Sequence, residues 1–165
     1  GPSRYAPDYR AAVLVNSVLG QFGMMGRIGD VVREREGMAY YAYSSVDGGF
    51  GPGAWRICSV VNPANIERAI ELIADEIERI IETPVSADDL ADNQSYFIGR
   101  LPLQLETSEG VANTLHTIET YGLDLDYLTT YKAEIQALTV ADLQAAAARY
   151  LNPARMVIAI AGPDV

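Results

Sequence analysis

A chain of 165 residues, 49% of them hydrophobic, is long enough for one domain with a substantial core and too apolar for a disordered segment. Its 22 acids and 12 bases give a formal net charge of −10, which repels phosphate backbones and anionic lipid and so argues against nucleic-acid and membrane-surface partners. The single cysteine, Cys58, excludes an intrachain disulfide and a multi-cysteine zinc site, no apolar run reaches the roughly 18 residues of a membrane span, and no secretory signal is visible.

Pro7-Asp8 opens a predicted first helix that runs to about Leu19 and stops at Gly20, with Val13, Leu14, Val18 and Leu19 close to helical spacing. Gly20, Gly23 and Gly26 fall within seven residues and predict a loop between two helices, since each glycine tolerates positive φ. A phosphate cradle does not fit there, because no strand precedes it and no Lys-Ser/Thr follows. The second helix spans Arg27 to Glu36, with Ile28, Val31 and Val32 inward and Gly37 at the position that ends it. A tyrosine-rich strand follows from Met38 to Val46, and alternation puts Tyr40, Ala42, Ser44 and Val46 on one face. The glycine-rich turn over 47–53 and a second strand from Ala54 to Val61 predict an antiparallel hairpin, with Cys58 as a buried free thiol.

Asn62-Pro63 begins the clearest helix, whose apolar stripe of Ile66, Ala69, Ile70, Ile73, Ile77, Ile80 and Ile81 runs to about Glu82 opposite a charged face. Thr83-Pro84 breaks it. Ser86 and Asp89 form a capping-box pattern for a helix reaching Leu101-Pro102. Further helices are predicted over Ser108 to Tyr121, Tyr127 to Leu138 and Val140 to Leu151, the last capped by Thr139 with Asp142. Asn152-Pro153 breaks the chain again, and Met156 to Ala161 reads as a buried strand ending at Gly162-Pro163. The fold class expected is α+β, with an antiparallel or mixed sheet packed against several helices and residues 1–165 forming a single domain. Three strands are few for this many helices, so neighbouring strands are expected from other sequence, and an unpaired edge predicts pairing with a second copy.

Little conventional catalytic chemistry is present. His116 is the only histidine, and with Glu119 three residues on it makes a surface pair rather than a three-ligand zinc site. One histidine and one distant cysteine give no nucleophile–base arrangement. Asp88, Asp89 and Asp92 sit at a helix start, where the dipole favours acids. Arg33 and Tyr40 remain, in the last turn of one element and at the start of the next. They are explicable as a C-terminal cation and a strand packing residue, or as donors to a peptide carbonyl on which charge develops.

Gly26-Arg27-Ile28, followed by Val32-Arg33-Glu34, Gly37 and Ala39-Tyr40, resembles the best-marked block of the insulinase/pitrilysin-type zinc metallopeptidases. The Pro7-Asp8-Tyr9 helix with Leu19-Gly20, the helical tail and the closing Val157-Ile158-Ala159-Ile160-Ala161-Gly162 also resemble that family's second half. The resemblance implies half of a two-half clamshell: the non-zinc, substrate-binding C-terminal domain, with zinc expected in a partner N-terminal half of the same polypeptide or another subunit. It implies that Arg33 and Tyr40 bind peptide substrate, and that Gly20, Gly23 and Gly26 occupy the place of a glycine-rich substrate loop. No metal ligand and no cofactor are expected in this chain, which lacks the family's H-x-x-E-H motif and should be inactive alone. The strand expected before the first helix is missing, so the domain reads as truncated at its N-terminus. The alternative left open is a catalytically inactive scaffold of the same fold. A soluble bacterial protein of the cytoplasm is expected, with periplasm or export left open.

Overall fold

The computed structural model describes residues 1–162. The order is α1 (Tyr9–Gly20), α2 (Phe22–Gly29), a π-helical turn (Asp30–Arg35), β1 (Ala39–Val46), β2 (Trp55–Val61), α3 (Ile66–Glu82), α4 (Ala87–Gln104), α5 (Ser108–Thr120), α6 (Tyr127–Ala137) and α7 (Val140–Tyr150). This is an α+β architecture: β1 and β2 form a two-stranded antiparallel sheet against the helices. No helix among the described residues is long and apolar enough to cross a membrane.

Helix α1 is the centre of the core. Its alanines and aliphatics bury almost all round, including Ala12, Leu14, Val15 and Leu19, because α2, α7 and β1 pack on different sides of it. Each large aliphatic removed from water there contributes about 1.5–3 kcal/mol. Asp8 precedes the helix without capping it. Its carboxylate instead accepts from the Tyr150 hydroxyl at 2.6 Å and Arg149 Nη1 at 3.0 Å, which ties the start of α1 to the end of α7.

The other end of α1 lies directly on β1. A Cβ at Gly20 would stand 2.5 Å from the Ser44 backbone nitrogen, so only glycine permits the approach. Ser44 Oγ donates to the Asn16 carbonyl at 3.2 Å, and Gln21 Nε2 donates to the Ser44 carbonyl at 3.1 Å. Gly26, at φ 65°, would place a Cβ 2.6 Å from the Gly20 nitrogen. The loop expected over 20–26 is therefore absent. Gln21 alone separates the helices, and Gly20 and Gly26 serve close backbone packing.

The sheet has one covered face. Ala42 and Ser44 are fully buried against the helices, while Tyr43, Cys58 and Val60 face outward. Cys58 is thus exposed rather than buried, because nothing among the described residues covers the second face of an antiparallel pair. The register pairs Ala39 with Val61 and Ala42 with Ser59, so β1 carries one extra residue, a bulge at Tyr40-Tyr41. That bulge breaks the alternation that puts Tyr40 on the face of Ala42: Tyr40 is 84% exposed.

The predicted strand at Met156 to Ala161 does not form. The segment follows the 3₁₀ turn Pro153–Arg155 without pairing to β1 or β2, and Val157 is 92% exposed. A strand is defined by its ladder, and apolar sequence alone supplies no partner for its N–H and C=O groups. Pro163, its expected stop, lies outside the described residues. The capping expectations hold: Ser86 with Asp89 and Thr139 with Asp142 each form a reciprocal capping box. Helix α3 buries Ala69, Leu72, Ile77 and Ile80 and leaves Glu67, Glu71 and Glu78 in solvent.

Candidate functional site

Two backbone irregularities bracket Gly37 and aim Arg33 and Tyr40. The first is the π-helical turn, in which the Glu36 N–H reaches back to the Val31 carbonyl at 3.3 Å. Such a turn adds a residue to the helical circuit and rotates the side chains beyond it. Gly37 then adopts φ 61° and its N–H donates to the Arg33 carbonyl at 3.1 Å, the bond that closes an αL cap. Nothing lies within 4 Å of a Cβ placed there, so conformation and not space calls for glycine at 37. The second irregularity is the β1 bulge, which turns Tyr40 outward.

The result is a contact between the two residues. The Arg33 guanidinium carbon lies 5.9 Å from the centre of the Tyr40 ring, within cation–π range. Arg33 Nη1 also approaches the Met24 sulfur at 3.8 Å, and Nε stands 3.5 Å from Glu34 Oε1. Among the described residues the Tyr40 hydroxyl has no hydrogen-bond partner, and the ring stands in solvent. A guanidinium carries five N–H donors, more than its approaches to Met24 and Glu34 use, and the sulfur lies beside them. Gly23, at φ 61° with open space around it, immediately precedes Met24.

Helix α3 carries a buried acid with no role in the sequence expectations. Glu76 of α3 is 2% exposed and accepts from Arg79 Nη1 at 2.6 Å. Burial pushes its carboxyl pKa up, against the opposing pull of Arg79, Arg27 and Arg35, while Asp30 adds to the rise. Glu76 lies three residues after Ile73 and four before Ile80, and that helical spacing with the apolar stripe is the signal of its burial in the sequence. Asp89, expected as a helix-start acid, closes its capping box and also pairs with Arg27 Nη2 at 3.2 Å.

His116 does not fit a zinc centre. It lies on an exposed face of α5, where Nε2 meets the Thr120 hydroxyl at 3.4 Å. Among the described residues no three His, Cys, Asp or Glu side chains converge on a point that could hold a metal ion.

Residues 1–96, from the N-terminal segment through most of the first turns of α4, match the family described as the peptidase M16 inactive domain. The chain belongs to that family. Arg33, Tyr40 and the three glycines all fall inside the matched span. This M16 inactive domain is 25% identical over 150 residues to an uncharacterized zinc protease of Streptomyces coelicolor, covering 91% of this chain and 32% of that one. Among solved structures it resembles a peptidase M16 inactive domain from Pseudomonas fluorescens, with TM-score 0.84 and 27% identity, over 93% of this chain and 36% of the other. It also shares its fold with the periplasmic protease PqqL of Escherichia coli, at TM-score 0.71 and 20% identity, over 92% of this chain and 16% of that protein. The chain spans about a third of the length of the first two of these relatives.

Proposed function

We propose that this M16 inactive domain holds peptide substrate for a zinc-dependent endopeptidase, and that a separate N-terminal half, in the same polypeptide or in a partner subunit, carries the zinc and the hydrolytic step. The observation that carries this reading is the Arg33–Tyr40 contact at 5.9 Å, with the phenol outward and without an intrachain partner among the described residues. A peptide carbonyl gains negative charge when its carbon is attacked, and donors fixed in advance at that oxygen stabilise the change at no cost in reorganisation. Arg33 supplies a permanent cation with directional N–H groups, and Tyr40 supplies a neutral O–H. Met24, beside Arg33, and Gly23 before it form part of the surface that substrate meets. Tyr43 and Val60, on the uncovered face of the sheet, offer apolar contact to substrate side chains.

The experiment is steady-state kinetics of Arg33→Ala and Tyr40→Phe in the assembled two-half enzyme, beside melting temperatures. Loss of one transition-state donor lowers kcat by about 10²–10³. Arg33→Ala raises KM as well if its bond to the carbonyl already exists in the bound substrate. Unchanged kinetics in both variants with unchanged melting overturns the assignment.

A further inference from the structure

A cavity of about 500 Å³ lies between the end of α4, α5 and α6, and none of its lining residues belongs to the Arg33–Tyr40 wall. Arg4 forms part of its lining. The N-terminal segment that carries Arg4 is held in place: the Arg4 N–H donates to the Gly49 carbonyl at 2.9 Å. Arg4 Nη1 donates to the Tyr9 hydroxyl at 3.1 Å and Nη2 to the Tyr127 hydroxyl at 3.2 Å. The guanidinium carbon sits 5.0 Å from the centre of the Tyr9 ring and 5.4 Å from that of Tyr121.

The partners of Arg4 are all neutral. Among the described residues no carboxylate lies within ion-pair distance of it, whereas Arg10, Arg27, Arg56 and Arg149 each meet one. In a chain with 22 acids to 12 bases, this half-buried cation has two phenols as its hydrogen-bond partners and no carboxylate in contact. The Tyr127 oxygen accepts from Arg4, so its own proton points elsewhere. Tyr131 lines the same cavity, and its hydroxyl has no partner among the described residues. Burial pushes the Tyr131 phenol pKa up, which keeps it a proton donor at neutral pH. A guanidinium with two phenol O–H groups is a donor set for an oxyanion.

The remaining lining narrows the ligand. Helix α5 contributes Asn113, Thr117 and Glu109. Glu109 adds a negative charge that opposes a dianion and tolerates a monoanion. Asn113 can both donate and accept, as peptide groups require. The volume is that of a small-molecule site and exceeds what a lone ion fills.

We propose that this cavity binds the C-terminal carboxylate of a short peptide, with Arg4, Tyr127 and Tyr131 as its donors. The site stands whether or not Arg33 and Tyr40 act on substrate.

The test is calorimetric titration of the 165-residue chain with three probes: the tripeptide Ala-Ala-Ala, its C-terminal amide, and inorganic phosphate. Binding of the free acid is expected, with at least about a tenfold loss on amidation, the scale of one charge-assisted contact. Phosphate should bind more weakly than the tripeptide. Arg4→Gln should reproduce the loss seen on amidation. Tyr131→Phe should weaken the acid several-fold with melting unchanged, and it decides the matter alone if Arg4→Gln melts early. Equal affinity for acid and amide, absence of binding, tighter binding of phosphate, or full affinity in a folded Arg4→Gln or Tyr131→Phe variant overturns the proposal.

Discussion

Helices α1 and α5 differ by one residue in length and by most of their surface. Of the 12 residues of α1, all from Ala11 to Gly20 except Val13 are buried, whereas the 13 residues of α5 bury Ile118 alone. The contrast follows from placement: α1 is enclosed by α2, α7 and β1, and α5 lies at the periphery with Thr114 and Thr117 bonding back to their own helix. Cohesion therefore concentrates around α1, in the span that matches the M16 family and in α7, while α5 and α6 form a polar shelf that shapes the cavity beside Arg4.

Paired truncations break or sharpen this contrast. Leu14→Ala in α1 should cost about 2–5 kcal/mol, because Leu14 is fully buried and its neighbours relax only in part. Leu115→Ala in α5, at a residue 56% exposed, should stay within about 0.5 kcal/mol. Chemical denaturation of both variants checks the pair, and similar losses would place the core elsewhere. Next in size is Thr139→Ala, which removes the hydroxyl bonded to the Asp142 N–H at 3.2 Å and should cost about 1 kcal/mol. Since α7 packs on α1, that loss should appear in global unfolding rather than in local fraying.

The smallest expected effect, and of opposite sign, concerns Glu76. Its raised pKa means that the folded chain keeps a proton over a pH range where the unfolded chain has lost it. The stabilisation from that proton is complete below the ordinary glutamate range and disappears as pH rises through the raised folded value. Glu76→Gln should flatten this slope and melt no lower than the parent at neutral pH, since Arg79 is exposed enough to be solvated without its partner. Melting curves across pH 4–8 decide it: parallel decline of parent and variant, or a variant less stable at neutral pH, contradicts the assignment.

Much of the architecture was legible where local chemistry dictates it. The hairpin, the stripe of α3, the Gly37 stop and both capping boxes depend on residues within a few positions of one another, and they appear as expected. The neighbourhood of Arg33 and Tyr40 followed from the same short-range logic. The π turn and the bulge that aim the two side chains did not, because each is a one-residue insertion relative to a partner that the pattern does not display. Met156 to Ala161 and Cys58 failed for a shared reason: apolar sequence signals a surface to be covered, and whether anything covers it is decided elsewhere. Glu76 was not singled out in the sequence, because a glutamate on a helix with a charged face reads by its type as part of that face.

The crossing of Gly20 and Gly26 bears on how the protein tolerates change. Ser44 touches Gly20 four residues along β1 from Tyr40, and Gly26 precedes Arg33 by seven. The spacing of guanidinium and phenol is thus referenced to main-chain atoms, which do not vary with side-chain identity. Aliphatic side chains around α1 can be exchanged for others of similar volume without resetting that spacing, whereas one methyl group at either glycine would misalign it. Exchange of core aliphatics and an unchanged Arg33–Tyr40 spacing are then compatible, because the ruler between them is made of backbone.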